Sequence, residues 1–317
     1  MLRYIAYRLV SIIPTLLLIS ILAFLITYLI PGDPSYTLLG MEVTEEMRQG
    51  LRVHLGLDKP VYIRYGIWLW NVLHGDLGNS IFGQFKVTYL IGRALPVSLE
   101  LMLFTILIGL AIAIPAAVIS AVRKNTWVDM VVTIAAFTGL SLPTFWLAIM
   151  FIYVFAVDLK LLPATGFVRM GDNITGNLRS MILPSVTLGI VYSTGLMRFL
   201  RAGLLDVLNE DYVRTARMKG VIEWRVLVRH VLKNALIPFT TVLGLEMAWL
   251  LGGSVLIENV FALPGMGRLA LNAILQRDYN VVQGIALTMA GLFVLINLAV
   301  DILYAFLDPR VRLASKS

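Results

Sequence analysis

The sequence predicts an all-α membrane protein that crosses the bilayer six times. Of its 317 residues, 59% are hydrophobic and only 14% are charged, whereas soluble domains are typically about 45–50% apolar. Apolar stretches with few charges recur along the chain, each near the length of about 20 residues that a helix needs to cross a bilayer. The predicted spans are 9–32, 97–122, 130–157, 181–202, 238–257 and 280–307.

The first span follows Arg3 and Arg8, as the apolar core of a secretory signal would. It is too long for such a signal and lacks a cleavage site of small residues, so we expect it to be retained.

The long segment 31–96 after it is predicted to be extracytoplasmic. Within this segment Thr44, followed by two glutamates, predicts a helix start. Aromatic and aliphatic residues at helical spacing from Tyr65 onward predict a second helix, of a composition that favours the membrane interface.

The distribution of Lys and Arg predicts the orientation, because short cytoplasmic loops are enriched in both. With a cytoplasmic N-terminus, the inside segments carry 15 basic residues in about 64 positions and the outside segments carry 11 in about 112. Both termini and the loop 206–235 are therefore predicted to be cytoplasmic. The basic residues flank spans and do not cluster on a polar domain, so the net charge of +7 indicates anionic lipid and not nucleic acid.

The basic stretch NEDYVRTARMKGVIEWRVLVRHVLKNALIP, residues 209–238, connects the fourth and fifth spans. Its first helix is predicted to begin at Asn209 as the capping residue, with two acids in the first turn that favour the helix dipole. It is predicted to end at Gly220, which supplies the left-handed residue past the last turn. The apolar side of this helix consists of Tyr212, Val213 and Ala216.

A second amphipathic helix is predicted after Gly220. Its apolar residues recur at helical spacing from Trp224, and Arg225, Arg229 and Lys233 form one basic stripe. Pro238 is predicted to open the fifth span. By spacing alone, the two helices are either a docking element or amphipathic segments that lie on anionic lipid.

The stretch YVRTARMKGVIEWRVLVRHVLKNALIP resembles the cytoplasmic EAA loop of ABC importer permeases, in the form used by the dipeptide/oligopeptide/nickel permease family. The first family triplet falls on Arg214, Thr215 and Ala216, and the I-x-L-P element falls on 230–233, where His and Lys replace the family's Ile and Pro. The resemblance extends over nearly the whole chain, through YRLVSIIPTLLLISILAFLITYLIPGDP, HLGLDKPVYIRYGIWLWNVLHGDLGNS, SLPTFWLAI, ENVFALPGMGRLALNAILQRDYNVVQG and VDILYAFLDPRVR.

The resemblance implies a type I ABC importer permease fold, with 1–317 as a single transmembrane domain and 206–235 as the ATPase-docking loop. In this family the short loop helix docks in a groove on a cytosolic ATPase subunit and moves when the ATPase pair closes on ATP. The docking residues that it implies are Glu210, Asp211, Tyr212, Val213, Arg214, Thr215, Ala216, Arg217, Lys219 and Gly220.

The resemblance also implies the partners. These are a second homologous permease, two cytosolic ATPase subunits, an extracytoplasmic substrate-binding protein and the lipid of a bacterial or archaeal cytoplasmic membrane. The helix after Tyr65 then either lies on the outer leaflet or forms a surface beneath the binding protein. Short peptides are the implied cargo, and nickel chelates, glutathione or oligosaccharides are the alternatives.

The chain is predicted to be a transporter subunit and not an enzyme. No glycine is followed by lysine, so there is no P-loop, and ATP and Mg are expected on the partner ATPases, with no cofactor or metal on this chain. An intramembrane serine protease needs a histidine or lysine base that faces a serine within its spans, but the three histidines lie outside the spans and the spans contain no lysine. A transporter that works without ATP is the rival class, but it needs no docking helix, and no internal repeat is visible.

Glu246 lies well inside the fifth span, where a carboxylate is costly and usually faces a cavity or a partner. We therefore assign Glu246, with its neighbour Met247, to the translocation path, where the carboxylate meets a cationic group such as a peptide amine. The alternative is a structural hydrogen bond or ion pair to a neighbouring helix.

Overall fold

The computed structural model describes residues 2–29, 49, 59–83 and 85–307, and the side chains of 12–25, 49, 59–83 and 85–302. This part of the chain is helical and contains no strand. The helices in chain order are α1 (Leu2–Leu29), α2 (Val61–Leu73), α3 (Val87–Val122), α4 (Trp127–Ser141), α5 (Thr144–Asp158), α6 (Ile174–Leu208), α7 (Asp211–Met218), α8 (Glu223–Gly253), α9 (Val255–Val260), α10 (Met266–Gln276) and α11 (Tyr279–Leu307). The predicted helix start at Thr44 lies outside the described residues.

The apolar helices account for the membrane character of the chain. Helices α3, α6, α8 and α11 are each long and apolar enough to cross a bilayer, and α4 and α5 are so only when taken together. Helix α1 has 28 residues, and its stretch Ile12–Leu25 is apolar. Each predicted span falls largely on one of these segments, so the fold is an all-α, polytopic one.

The segment predicted as a third span, 130–157, is not one straight helix. Helices α4 and α5 meet at an angle of 99°. The break falls at Leu142, whose backbone is extended with φ −79° and ψ 128°, because a proline disfavours the helical conformation in the residue before it. Pro143 then precedes the first turn of α5, where its missing N–H leaves no helical hydrogen bond unmade.

The helices extend beyond the predicted spans. Helix α3 begins at Val87 and not at residue 97, and α6 covers Ile174–Leu208 and not only 181–202. Helix α8 begins at Glu223, and Pro238, which is predicted to open the fifth span, lies within this helix. Hydropathy marks the length of chain that contacts lipid, whereas a helix continues for as long as its backbone hydrogen bonds do.

The chain divides into two compact units, of which the first comprises Ser98–Leu263 and Leu295–Ser317. Helix α6 is its central element and packs against α4, α5 and α8. At Gly189 of α6, an added Cβ would lie 2.7 Å from the side chain of Ile108 on α3. Only glycine permits this separation, since real Cβ atoms do not approach so closely, and small residues are what lets membrane helices come together.

The second unit comprises Leu2–Val97 and Pro264–Val294. The predicted helix after Tyr65 is confirmed as α2, and the Tyr65 hydroxyl lies 2.8 Å from Ser20 of α1. Asp278, which is buried, accepts hydrogen bonds from the Ser80 hydroxyl at 2.5 Å and the Ile81 N–H at 3.1 Å. These contacts fix the segment after α2 to the loop before α11.

We predict that Gly244→Ala destabilises the first unit, because its Cβ would lie 2.5 Å from Val300 of α11. Overpacking of this kind costs about 1–3 kcal/mol, and a thermal melt of the purified protein measures it. The matched control is Gly252→Ala on the same helix, where nothing lies within 4 Å. The control is expected to melt at or above the wild-type temperature, and equal melting of the two variants would contradict the packing assigned to Gly244.

Candidate functional site

The short helix α7 of the predicted docking loop is held in place by two buried side chains. Val213 is fully buried and Ala216 nearly so, and their three-residue spacing places both on one face of the helix. They join an apolar core that includes Leu204 of α6 and Val231 of α8. Helix α7 is therefore packed on both of the helices that flank it in the chain.

The start of α7 differs from the prediction, since Asn209 does not cap it. Helix α6 continues to Leu208, so Asn209 keeps a near-helical backbone with φ −88° and ψ −7°. Its side-chain amide donates a hydrogen bond of 2.9 Å to the carbonyl of Leu205. Glu210 takes the extended conformation before α7 and makes no side-chain cap, and Asp211 occupies the first turn, where its charge favours the helix dipole.

The end of α7 follows the prediction, because Gly220 has a φ of +74°. The N–H of Gly220 donates to the carbonyl of Arg217 at 2.9 Å, and the N–H of Val221 donates to the carbonyl of Ala216 at 3.3 Å. No atom lies within 4 Å of an added Cβ. Glycine is therefore favoured here by the backbone conformation, which costs other residues roughly 1–2 kcal/mol, and not by lack of space.

Two side-chain contacts tie α7 to the beginning of α8 across this turn. The guanidinium of Arg217 donates to both oxygens of Glu223, at 2.6 and 3.1 Å, and these hydrogen bonds raise the pKa of Arg217 because they favour its charged form. The amide of Asn234 donates to the Tyr212 hydroxyl at 2.8 Å. Tyr212, predicted on the apolar side of α7, is thus exposed but bonded to α8.

The other side of α7 is open. Val213 and Ala216 are buried and hold the helix, while the other predicted docking residues are exposed: Glu210, Asp211, Tyr212, Arg214, Thr215, Arg217, Lys219 and Gly220. Three large apolar side chains nearby, none of them among the predicted docking residues, are exposed by 80%, 69% and 71%: Met218, Ile222 and Trp224. Their signal in the sequence was their apolar character within an otherwise charged loop.

A buried ion pair, which the sequence did not predict, connects three helices close to α7. Asp129 at the start of α4 lies 2.8 Å from the Nη2 atom of Arg201 on α6. Its carboxylate also accepts hydrogen bonds from the Ser120 hydroxyl of α3 and, at 3.0 Å, from the N–H of Asn125. Arg201 lies seven residues before Leu208, which is about two helical turns. The pair therefore fixes the end of α6 that leads into α7.

The predicted path residues, Glu246 and Met247, are both half-buried on α8. The Oε1 atom of Glu246 would lie 3.3 Å from a Cβ added at Gly195, so its side chain faces α6.

Glu258 of α9, in contrast, is fully buried and accepts hydrogen bonds from Ser98 at 2.7 Å and Ser254 at 3.2 Å. Across the described residues, no group of three acidic, histidine or cysteine side chains could hold a metal ion.

Two protein-family models match the chain. Residues 113–313 match the family model of the binding-protein-dependent transport system inner membrane component, and residues 1–102 match the N-terminal model of the same kind of membrane component.

Two relatives are similar over almost the full chain. A putative peptide transport system permease protein of Brucella suis is 44% identical over 304 residues, which is 96% of this chain and 97% of that protein. A glutathione transport system permease protein of Salmonella choleraesuis is 41% identical over 316 residues, 98% of this chain and 99% of the other.

A solved structure, an inward-facing conformation of the MetNI methionine ABC transporter, supports the fold. One of its chains aligns with a TM-score of 0.57 at 17% identity, covering 69% of this chain and 97% of the other. At this level of identity the likeness concerns the fold alone, which is that of a type I importer permease.

We predict that Asp129→Asn destabilises the protein by about 3 kcal/mol, because removing one partner leaves the Arg201 charge unpaired in a mostly buried site. The measurement is the melting temperature of the purified protein. Asp211→Asn is the control, since Asp211 is exposed and lies 3.9 Å from Arg214, and exposed pairs contribute about 1 kcal/mol or less. An Asp129→Asn protein that melts with the control would refute a structural role for the ion pair.

Proposed function

This chain belongs to the family of binding-protein-dependent transport system inner membrane components, and we propose that it carries short peptides across the cytoplasmic membrane. It is the permease of an ATP-driven importer, whose ATPase is in separate subunits. The observation that carries the peptide proposal is the 44% identity, over 96% of the chain, to a protein named a peptide transport permease. The relative that is named for glutathione, itself a tripeptide, supports the same cargo class. Nickel chelates and oligosaccharides are the alternative cargoes.

We place the ATPase contact on the open side of α7. A coupling element has to pass a displacement on without deforming, and α7 is suited to this because Val213 and Ala216 pack it between α6 and α8. The open side offers charges next to the exposed apolar side chains of Met218, Ile222 and Trp224. Large side chains of this kind are typical anchors in protein interfaces. ATP and Mg would then bind on the ATPase subunits and not on this chain.

We place α7 and both termini in the cytoplasm, because the segments assigned to that side have the higher density of Lys and Arg. A second homologous permease would complete the path. The face of α8 that carries Leu245, Trp249 and Gly252 supports this, since these exposed residues recur three to four positions apart and are suited to helix packing or lipid. A binding protein on the outer side would deliver the cargo.

The first test is uptake of a labelled tripeptide by cells that express the whole importer, with and without Gly220→Pro. Proline fixes φ near −65° and cannot adopt the +74° found here, so we expect this variant to abolish uptake. Gly220→Ala, which faces no steric contact, is expected to retain part of the uptake. Wild-type cells that take up nickel chelates or sugars but no peptide would contradict the proposed cargo, and normal uptake by Gly220→Pro would contradict docking at α7.

The second test separates the internal role of Arg217 from direct contact with the ATPase. Reversing one charge of the Arg217–Glu223 pair, in Arg217→Glu or Glu223→Arg, is expected to lower peptide-stimulated ATP hydrolysis by up to about fivefold, because an exposed pair contributes at most about 1 kcal/mol. The double swap restores the pair and should restore most of the activity. A double variant with a lower rate of ATP hydrolysis than either single variant would mean that the ATPase contacts these charges directly.

A further inference from the structure

We propose that Glu246 is the residue that binds the cationic amino group of a peptide on its way through the permease. The inference rests on the proposed function, because it requires peptide cargo. It assigns one end of the peptide to one carboxylate, which neither the family match nor the relatives' names do.

The first step concerns depth. Glu246 lies seven residues before Gly253, the last residue of α8, which is about 10 Å along the helix axis. The neighbouring exposed residues are Leu245 and Trp249, so the carboxylate interrupts an apolar segment. Charged side chains at such positions are costly and mark substrate or ion pathways when they face the interior of a bundle.

The second step concerns partners. Within the described residues, no side chain donates a hydrogen bond to Glu246 or forms an ion pair with it. Asp129 and Glu258, the two buried acids of the same unit, both have hydrogen-bond donors. Arg198 of α6 does not pair with Glu246, since its guanidinium carbon lies 5.1 Å from the ring centre of Phe137. Among the described residues Glu246 thus has no partner, and the Oε1 atom of Glu100 on α3 is also buried without a hydrogen bond.

The third step concerns space. Glu246 is half-buried and therefore reachable, and the helix surface opposite it is formed by Gly195, where a Cβ would already lie 3.3 Å from Oε1. Tyr192 lies one turn earlier on α6, and its hydroxyl would lie 2.9 Å from a Cβ added at Gly253. At both positions glycine lets a polar side chain of one helix lie against the backbone of the other, so the Glu246 carboxylate and the Tyr192 hydroxyl both lie between α6 and α8.

The fourth step concerns chemistry. A peptide has an ammonium group at one end and a carboxylate at the other. The ammonium offers three donors, and the carboxylate of Glu246 is an acceptor only. The peptide carboxylate would be repelled by Glu246. The site therefore selects the amino end of the peptide.

The test uses the complete membrane complex, both permeases and the ATPases, purified without the binding protein so that only the permease site is measured. Saturation-transfer NMR compares the affinity for Ala-Ala-Ala with that for N-acetyl-Ala-Ala-Ala, which lacks the ammonium charge. We expect wild type to prefer the free amine by about tenfold, near the lower end of what a hydrogen bond to a charged group contributes. Glu246→Gln, which keeps the side-chain shape, is expected to reduce this preference to within about twofold.

Equal affinities in wild type, including the absence of binding by either peptide, overturn the inference, and so does an undiminished preference in Glu246→Gln. Loss of the second permease from the Glu246→Gln complex also overturns it, since that outcome assigns the carboxylate to the subunit interface. Glu258→Gln is the matched control: its carboxylate is buried against two serines, so it should retain the wild-type preference even if it melts earlier. Loss of the preference in this control would show that a general distortion, and not the Glu246 charge, sets it.

Tripeptide uptake by the wild-type importer separates this inference from the function on which it rests. Uptake without a preference for the free amine at the permease refutes the role of Glu246 and leaves the peptide importer standing. No uptake of any peptide would contradict both the peptide-import function and the role of Glu246.

Discussion

The first unit depends on one constraint: a charge that is taken out of water has to be given a partner. The Asp129–Arg201 pair meets it with hydrogen bonds from α3, α6 and the turn before α4. Glu258 meets it with two serine hydroxyls from α3 and the end of α8. Because the donors come from different helices, each charge also fixes the position of those helices. Removing a donor would leave the buried acid without a partner. Glu246 is distinguished from these acids by having no such donor among the described residues.

Helix α8 links the two places where function is proposed. Its first residues contact α7 through the Arg217–Glu223 pair and the core around Val231, and Glu246 lies on the same continuous helix. A displacement of α7 by an ATPase would therefore reach Glu246 through hydrogen-bonded backbone and not through a flexible linker. Coupling of this kind requires that the two positions of the helix differ in their affinity for the cargo, which a carboxylate exposed in one position and covered in the other would provide.

The sequence predicted those parts of the molecule that local physics determines. Hydropathy located the long apolar helices, and the left-handed residue at Gly220 followed from its place after a basic helical turn. The limits of the helices were missed, because helices such as α6 continue beyond the lipid-facing residues. This extension also made the prediction for Asn209 wrong, since the end of α6 takes the residue that would have capped α7. The Asp129–Arg201 pair joins residues 72 positions apart, and no local pattern indicates such a partner.

Within α8, the residues Leu227–Leu232 form a π-helical turn, and such a turn accommodates one residue more than an α-helical one. The angle around the helix axis between Trp224 and Glu246 therefore depends on how many residues separate them, as well as on which residues these are. Deleting a single residue there can be absorbed by conversion of the π-helical turn to an α-helical one, whereas inserting one would turn the two ends of the helix against each other by roughly 100°, so that either Val231 leaves the core or Glu246 turns away from Gly195. This stretch should therefore tolerate the loss of one residue better than the gain of one.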